Sequence, residues 1–267
     1  MEGIRFLQTK ISDESVDLIL TDPPYITSRK TGMDTQSKIV KHADETQENT
    51  KTLEDWERWI KDTKKTYSEQ HKKNYIKYGS IYGKKYAVVT DYGSWDSEFT
   101  MDTLESFVNL FYKKLKNGGT CIIFFDLWKL TTLKDILEKV KFKQLRMIEW
   151  IKTNPQPLNS SLNYLTNSRE IAIVCVKGSK PTFNSKYDNG IYHFPLQGGR
   201  DRFHPTQKNL DLFKELIKKH SNENDTVLDT FLGSGTTALA CKETNRKFVG
   251  CEADETFYKK LSERLKL

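Results

Sequence analysis

The sequence predicts an α/β protein built on an open, mostly parallel sheet with helices on both faces. Three observations carry that expectation. The runs Val16–Thr21 (VDLILT) and 120–125 (TCIIFF) are almost continuously apolar, as strands covered on both sides require. Between such runs lie segments with apolar residues at helical spacing, such as Leu104, Phe107, Val108, Phe111 and Leu115. Residues 226–237 (TVLDTFLGSGTT) read as strand, glycine turn and helix.

Taken in order, residues 3–10 are expected as a short helix leading into the first strand, 16–21. Residues 28–90 form a polar, lysine-rich insertion, in which Leu53, Trp56, Trp59 and Ile60 place a helix near 53–66. Part of 28–50 is expected to be disordered without ligand. Residues 91–96 are turn-rich. A helix over 102–117 is stopped by Asn117-Gly118-Gly119, a strand over 120–125 ends at Asp126, and a helix at 128–141 leads to a strand at 145–152. Residues 158–168 are expected to be loop. Glu170–Val176 is a strand, read as the antiparallel hairpin partner of 145–152. Residues 178–203, with Gly178, Pro181, Gly190, Pro195, Gly198 and Gly199, are expected to be mostly loop with a basic end at Arg200, Arg202 and His204. A helix then opens at His204-Pro205 and runs to about 220, Pro205 sitting in the first turn where its missing N–H costs nothing.

The chain has 267 residues, enough for one large α/β domain or one domain with an insertion. Its 43 basic and 36 acidic residues leave a net charge of +7, which suits an acidic polymer as partner. Cys121, Cys175, Cys241 and Cys251 form no paired Cys-x-x-Cys, so no zinc site is expected and the thiols read as reduced in a cytoplasmic protein. No signal-like segment opens the sequence, and no apolar run nears the ~18 residues a membrane span needs.

Two turns carry the chemistry. Asp22-Pro23-Pro24-Tyr25 follows the first strand. Its prolines offer carbonyls without competing N–H groups, Asp22 adds a carboxylate and Tyr25 a flat ring. The cluster suits a flat ring bearing an exocyclic NH2, held by two acceptors and stacked on Tyr25. The competing reading is a proline turn capping a strand, with Asp22 solvated. The second turn is Phe231-Leu232-Gly233-Ser234-Gly235-Thr236, ahead of a helix whose free N–H groups face a ligand. About 15 residues on, Glu252 ends the strand 247–251, and an acidic residue there suits two ribose hydroxyls. Only one Gly-x-Gly is present and no Gly-Lys-Ser/Thr, so the unit reads as a nucleoside site and neither a dinucleotide nor a phosphate loop; a purely structural strand–helix turn is the alternative. Asp229, beside this turn, could pair with an amino group of the ligand. Within the insertion, Tyr75, Tyr78, Tyr82 and Tyr86 interleave with Lys72, Lys73, Lys77, Lys84 and Lys85, which suits a nucleic-acid strand or, alternatively, local packing of the tyrosines. His204 is read as structural before ligand-binding.

One site gripping an aromatic amine and another binding a nucleoside with an ammonium nearby are what methyl transfer from S-adenosylmethionine requires. The sequence resembles the β group of S-adenosylmethionine-dependent DNA amino-methyltransferases, with Asp22-Pro23-Pro24-Tyr25 first and Phe231-Leu232-Gly233-Ser234-Gly235 last. Trp150-x-Lys152-x-Asn154-Pro155, His204-Pro205-Thr206-Gln207-Lys208 and Val249-Gly250-Cys251-Glu252 match that group at the expected intervals. The match covers roughly 1–27 and 91–267. The family has a strand ahead of the first helix, with an acidic residue near the cofactor adenine; that position falls before Met1.

The resemblance implies a Rossmann-like methyltransferase sheet with a reversed hairpin strand and circularly permuted motif order, in a single domain over 1–267. It implies that the cofactor is S-adenosylmethionine, with Asp229, Phe231, Gly233, Ser234, Gly235 and Thr236 around its methionine end, Glu252 on the ribose, and Thr206 and Gln207 as the far wall. Duplex DNA would be the partner, with a cognate restriction nuclease and a homodimer as further expectations. The target base would be flipped into the pocket, with Asp22 and the Pro23 carbonyl accepting its amine hydrogens, Pro24 stiffening the turn, and Tyr25 stacking. Lys152, Asn154 and Pro155 would lie on the substrate side. Residues 178–203, and with them the insertion at 28–90, would recognise the target. N6-adenine is preferred because the turn begins with Asp; N4-cytosine, an RNA or protein-amide substrate, and an inactive DNA-binding paralogue are the alternatives.

Overall fold

The protein is described by a computed structural model over residues 2–26, 51–63, 66–78, 81, 99–155, 168–198 and 206–265. The chain divides into two compact units, 1–26 with 96–267, and 27–95.

The larger unit opens with α1 (Glu2–Lys10) and β1 (Val16–Thr21). After the smaller unit come α4 (Met101–Lys114), β2 (Leu115–Phe125), a single 3-10 turn at Leu127–Lys129, α5 (Leu130–Lys139), β3 (Lys143–Lys152) and β4 (Arg169–Val176). The chain continues through β5 (Ile191–Phe194), α6 (Leu210–His220), β6 (Thr226–Asp229), α7 (Thr236–Glu243), β7 (Lys247–Gly250) and α8 (Glu255–Leu265). The strands form one sheet in the order β5-β3-β4-β2-β1-β6-β7. β4 runs antiparallel to both its neighbours, and every other pairing is parallel.

The apolar strands bury alternate side chains on opposite faces, as the two-residue period of a strand requires. Ile19, Cys121, Ile123, Phe125 and Leu228 pack beneath α1, α4 and α5, through Leu7, Phe107, Phe111 and Leu133. Leu18, Leu20, Ile122, Phe124 and Val227 face the other way, onto Leu212, Phe213, Leu216 and Ile217 of α6 and Ala240 and Cys241 of α7. Cys121, Cys175 and Cys241 are buried thiols and Cys251 is half-buried.

The chain leaves β1 towards β2 on one side, while β6 lies against β1 on the other. The connecting helices α4 and α7 cover opposite faces. The carboxyl ends of β1 and β6 therefore flank the point at which an open α/β sheet forms a crevice.

Two expectations are corrected and one is refined. Residues 178–198 are mostly loop, as expected, but also hold a short strand, β5, paired with β3 from Glu149↔Ile191 to Lys152↔Phe194. Its four residues sit among glycines and prolines, too short for periodicity to reveal. The helix expected from His204 begins at Leu210, because the Asn209 carboxamide accepts the Leu212 N–H and caps it there. β2 starts at Leu115 and runs through Asn117-Gly118-Gly119; Gly118 adopts φ +83° and the register against β1 shifts between Val16 and Leu18. The expectations for His204, Pro205, Arg200, Arg202, Tyr82 and Tyr86 lie outside the described residues.

In the smaller unit, α2 (Leu53–Thr63) and α3 (Glu69–Tyr78) carry an aromatic cluster. Trp56 and Trp59 stack at 5.5 Å between ring centroids, Tyr75 stacks on Trp59 at 5.1 Å, and Tyr67 packs against Trp59 at 4.9 Å. Tyr75 is thus locally packed. Lys73 is exposed on α3.

Candidate functional site

Thr21 ends β1 and Asp229 ends the neighbouring β6, and the Thr21 hydroxyl donates to Asp229 Oδ1 at 2.7 Å. This bond joins the two turns that sequence motifs singled out, 208 positions apart in the chain. The Thr237 hydroxyl of α7 donates to Asp229 Oδ2 at 2.6 Å, and the Phe231 N–H donates to Oδ1 at 3.0 Å. Asp229 is 3% exposed. Burial raises its pKa, and the bonds from Thr237, Thr21 and the Phe231 amide oppose that rise. A carboxylate has about four acceptor positions, and three are taken internally. Asp229, expected to face an amine of the ligand, also braces the two turns.

The glycine turn is shaped by backbone. Gly233 and Gly235 have φ of +50° and +75°. A Cβ at Gly235 would stand 1.9 Å from Leu261 Cδ1, and one at Gly250, on β7, 2.3 Å from the Asp229 carbonyl oxygen. The Ser234 and Thr236 hydroxyls lie 3.0 Å apart, both buried. Phe231 packs against Phe107, 4.8 Å between centroids, and Phe99. Glu252 accepts from the Gly233 N–H at 2.6 Å and from the Asp254 N–H at 2.9 Å, which aims its carboxylate at the turn. Burial raises the Glu252 pKa, opposed by those two amides. Glu252 also lines a cleft with Leu232, Phe248 and Tyr258.

The other turn keeps capacity in reserve. Pro23 and Pro24 are buried. Asp22 binds Lys208 Nζ through Oδ2 at 2.7 Å, while its Oδ1 is buried without a hydrogen bond. The Tyr25 hydroxyl lies near this carboxylate, but with no hydrogen bond of good geometry. The Tyr25 ring meets Phe125 edge-on at 6.0 Å and has the Lys208 ammonium 5.5 Å from its centre. Burial pushes the Asp22 carboxyl up to about 6; Lys208 pulls it down and Glu170 pushes it up again.

Lys208 lies in the segment ahead of α6 and is 7% exposed. Its ammonium also meets Glu170 Oε2 at 2.6 Å, and Glu170 Oε1 meets Lys152 Nζ at 2.8 Å. An acid–base–acid–base chain therefore runs from the turn after β1 to β4 and β3. Burial would lower the Lys208 pKa, but Asp22 and Glu170 outweigh it and hold the lysine above its usual range. Burial works against the charge on Glu170 too, and Lys208 and Lys152 overcome it to hold that carboxyl low.

Of the remaining predicted residues, Asn154 Oδ1 accepts the Leu196 N–H at 2.6 Å and pins the chain after β5, with Pro155 next to it. Thr206 is exposed and Gln207 buried, just ahead of Lys208, whose carbonyl accepts from the Thr236 hydroxyl at 3.4 Å. Motif reading did not single out Thr21, Thr237, Glu170 or Lys208 as site residues. Glu170 is the one acidic residue of a strand that is apolar from Ile171 onward, a signal that was present; the partners of Thr21 and Thr237 appear only in three dimensions.

These residues fit S-adenosylmethionine. Gly233 and Gly235 turn the backbone at positive φ ahead of α7, an acidic side chain stands at the next strand tip, and an unsatisfied buried carboxylate oxygen lies one strand away.

The sequence matches the family described as DNA methylase over residues 16–263. It is 31% identical over 197 residues to the Type II methyltransferase M2.LlaDCHI of Lactococcus lactis subsp. cremoris, covering 67% of this chain and 73% of that protein. The Type II methyltransferase M2.DpnII of Streptococcus pneumoniae is also 31% identical, with the same coverage. Among solved structures, the M1.HpyAVI–SAM complex superposes with a TM-score of 0.62 at 24% identity, over 100% of this chain and 95% of that one.

Proposed function

We propose that this chain, which belongs to the DNA methylase family, methylates the N6 amine of an adenine flipped out of duplex DNA. Family membership makes it an S-adenosylmethionine-dependent DNA methyltransferase. The choice of adenine rests on the Asp that opens the turn at 22–25.

The observation that carries the reading is the free Oδ1 of Asp22, buried on the strand next to the glycine turn and tied to it through Thr21 and Asp229. The bound cofactor supplies an electrophilic methyl group. Asp22 Oδ1 and the Pro23 carbonyl accept the two amine hydrogens, which favours a tetrahedral nitrogen whose lone pair is no longer delocalised into the ring. Asp22 then stabilises the positive charge developing on that nitrogen. Tyr25 stacks on the base and fixes its plane. The surplus proton leaves through Asp22 or adjacent water. Phe231, Gly233, Ser234, Gly235 and Thr236 form the cofactor cradle with Thr206 and Gln207 opposite, and Glu252 holds the ribose. Lys152, Asn154 and Pro155 shape the substrate side.

The smaller unit adds phosphate contacts through its lysines, and the region 178–203 carries target recognition. Such an enzyme works in the cytoplasm beside a nuclease of the same specificity and as a homodimer, which light scattering tests. For the reaction itself, DNA methylated by the purified protein is digested to nucleosides and weighed. N6-methyldeoxyadenosine is expected; N4-methyldeoxycytidine as sole product would overturn the adenine assignment.

A further inference from the structure

The glycine turn and Asp22 do not account for the buried ions behind them. Lys208 is an ammonium at 7% exposure, and such a group is costly to bury unless both its charge and its protons are matched. It is matched twice, by Asp22 Oδ2 at 2.7 Å and Glu170 Oε2 at 2.6 Å, with the faces of Tyr25 and Phe124 at 5.5 and 5.6 Å. Glu170 is shared with Lys152 at 2.8 Å. Replacing such a lysine with an apolar side chain of similar volume would keep the packing, and burial alone gives no reason for ions here.

The geometry supplies a reason. Lys208 holds one specific oxygen of Asp22, and the other is buried without a hydrogen bond. A lysine paired with Asp22 alone would neutralise the charge that a developing cation needs. Glu170 places a second carboxylate on the same ammonium, and Lys152 compensates Glu170 in turn. Two acids and two bases sum to zero, so the set is neutral while Asp22 stays anionic.

We propose that Lys208 and Glu170 are positioning residues for methyl transfer: Lys208 fixes one Asp22 oxygen and favours its ionised form, so that the other oxygen meets the target amine, and Glu170 offsets the ammonium so that the ionised Asp22 is not neutralised by it. That offset comes at the cost of a higher Asp22 pKa. The proposal rests on the role of Asp22 given above. The groups facing Asp22 are Lys208 from the segment before α6, Glu170 from β4, with Lys152 of β3 behind it, and Tyr25 of its own turn. Asp126, after β2, acts on Tyr25, and Asp229 stands behind Thr21.

The test is the pH profile of single-turnover methyl transfer, with cofactor binding measured separately by calorimetry. Glu170→Gln keeps shape and removes charge. It takes away a group that raises the Asp22 pKa, so the acidic limb should move to lower pH. Lys208→Met removes the group that lowers it, so the limb should move up, with a lower plateau and cofactor affinity unchanged. Lys208→Arg should restore the limb and part of the rate, which keeps the test decisive if Lys208→Met melts early. Limbs that stay in place, or move in the same direction, would overturn the proposal. If wild type shows no acidic limb, or Asp22→Ala retains turnover, the assignment of Asp22 itself falls, and this inference with it.

Discussion

The two turns at the centre of the sheet are built on opposite terms. At 231–236 the polar groups bond to one another: Asp229 takes three internal donors, Ser234 and Thr236 lie within hydrogen-bonding distance, and the Gly233 amide meets Glu252. At 22–25 an Asp22 oxygen and the Tyr25 hydroxyl are buried without partners. A buried polar atom left unbonded costs on the order of 1–3 kcal/mol. In the proposed reading the glycine turn is a largely self-bonded cradle for the cofactor, and the turn at 22–25 holds bonding capacity open for a substrate, at a cost in stability that the surrounding sheet tolerates.

The comparison can be broken at several points. Asp22→Ala should slow methyl transfer by at least about 100- to 1,000-fold, the cost of losing a preorganised charge-stabilising group, while calorimetry shows cofactor affinity little changed. Gly235→Ala should act in the reverse sense. With φ +75° and Leu261 in the way, it should lose cofactor binding and about 2–4 kcal/mol in denaturant melts. Thr21→Val, between the turns, should cost about 1–3 kcal/mol by leaving Asp229 short of a donor, visible as a lowered melting temperature.

The pH dependence follows from Asp22, whose carboxyl is raised by burial from 3.8 to about 6. The folded protein holds that proton more tightly than the unfolded chain. Ionising Asp22 therefore costs stability as pH rises through 4 to 6, whereas the reaction needs the ionised form. Turnover should fall as pH drops through about 6, with stability moving the other way in that window as far as Asp22 is concerned. The smallest effect is expected from Lys73→Glu, which should weaken DNA binding and flatten its salt dependence by about 0.9 for each phosphate no longer neutralised.

Much of this was legible in the sequence, and the limits have physical causes. The sheet showed itself because strands buried on both faces must be continuously apolar, and the turns because prolines and paired glycines are tied to particular backbone shapes. β5 was hidden because four residues among glycines carry no periodicity. The start of α6 was misplaced because Pro205 and Asn209 both favour a helix start, and the Asn209 side chain makes the actual cap. The bracing role of Asp229 was hidden because nothing local reveals that Thr21 reaches it from a strand 208 residues away. The aromatic residues of the insertion proved ambiguous in the same way: Tyr75 packs on Trp56 and Trp59, so the basic residues are better candidates there for DNA contact.

The central claim is that the two turns act on one pair of reactants at once. Calorimetry with an analogue tethering an adenine amine to the cofactor's sulfur position tests it most directly. The wild-type protein should bind the tethered analogue more tightly than the cofactor half alone, and Asp22→Ala should remove that advantage and nothing more. An analogue bound no better than its cofactor half by the wild-type protein would contradict the account.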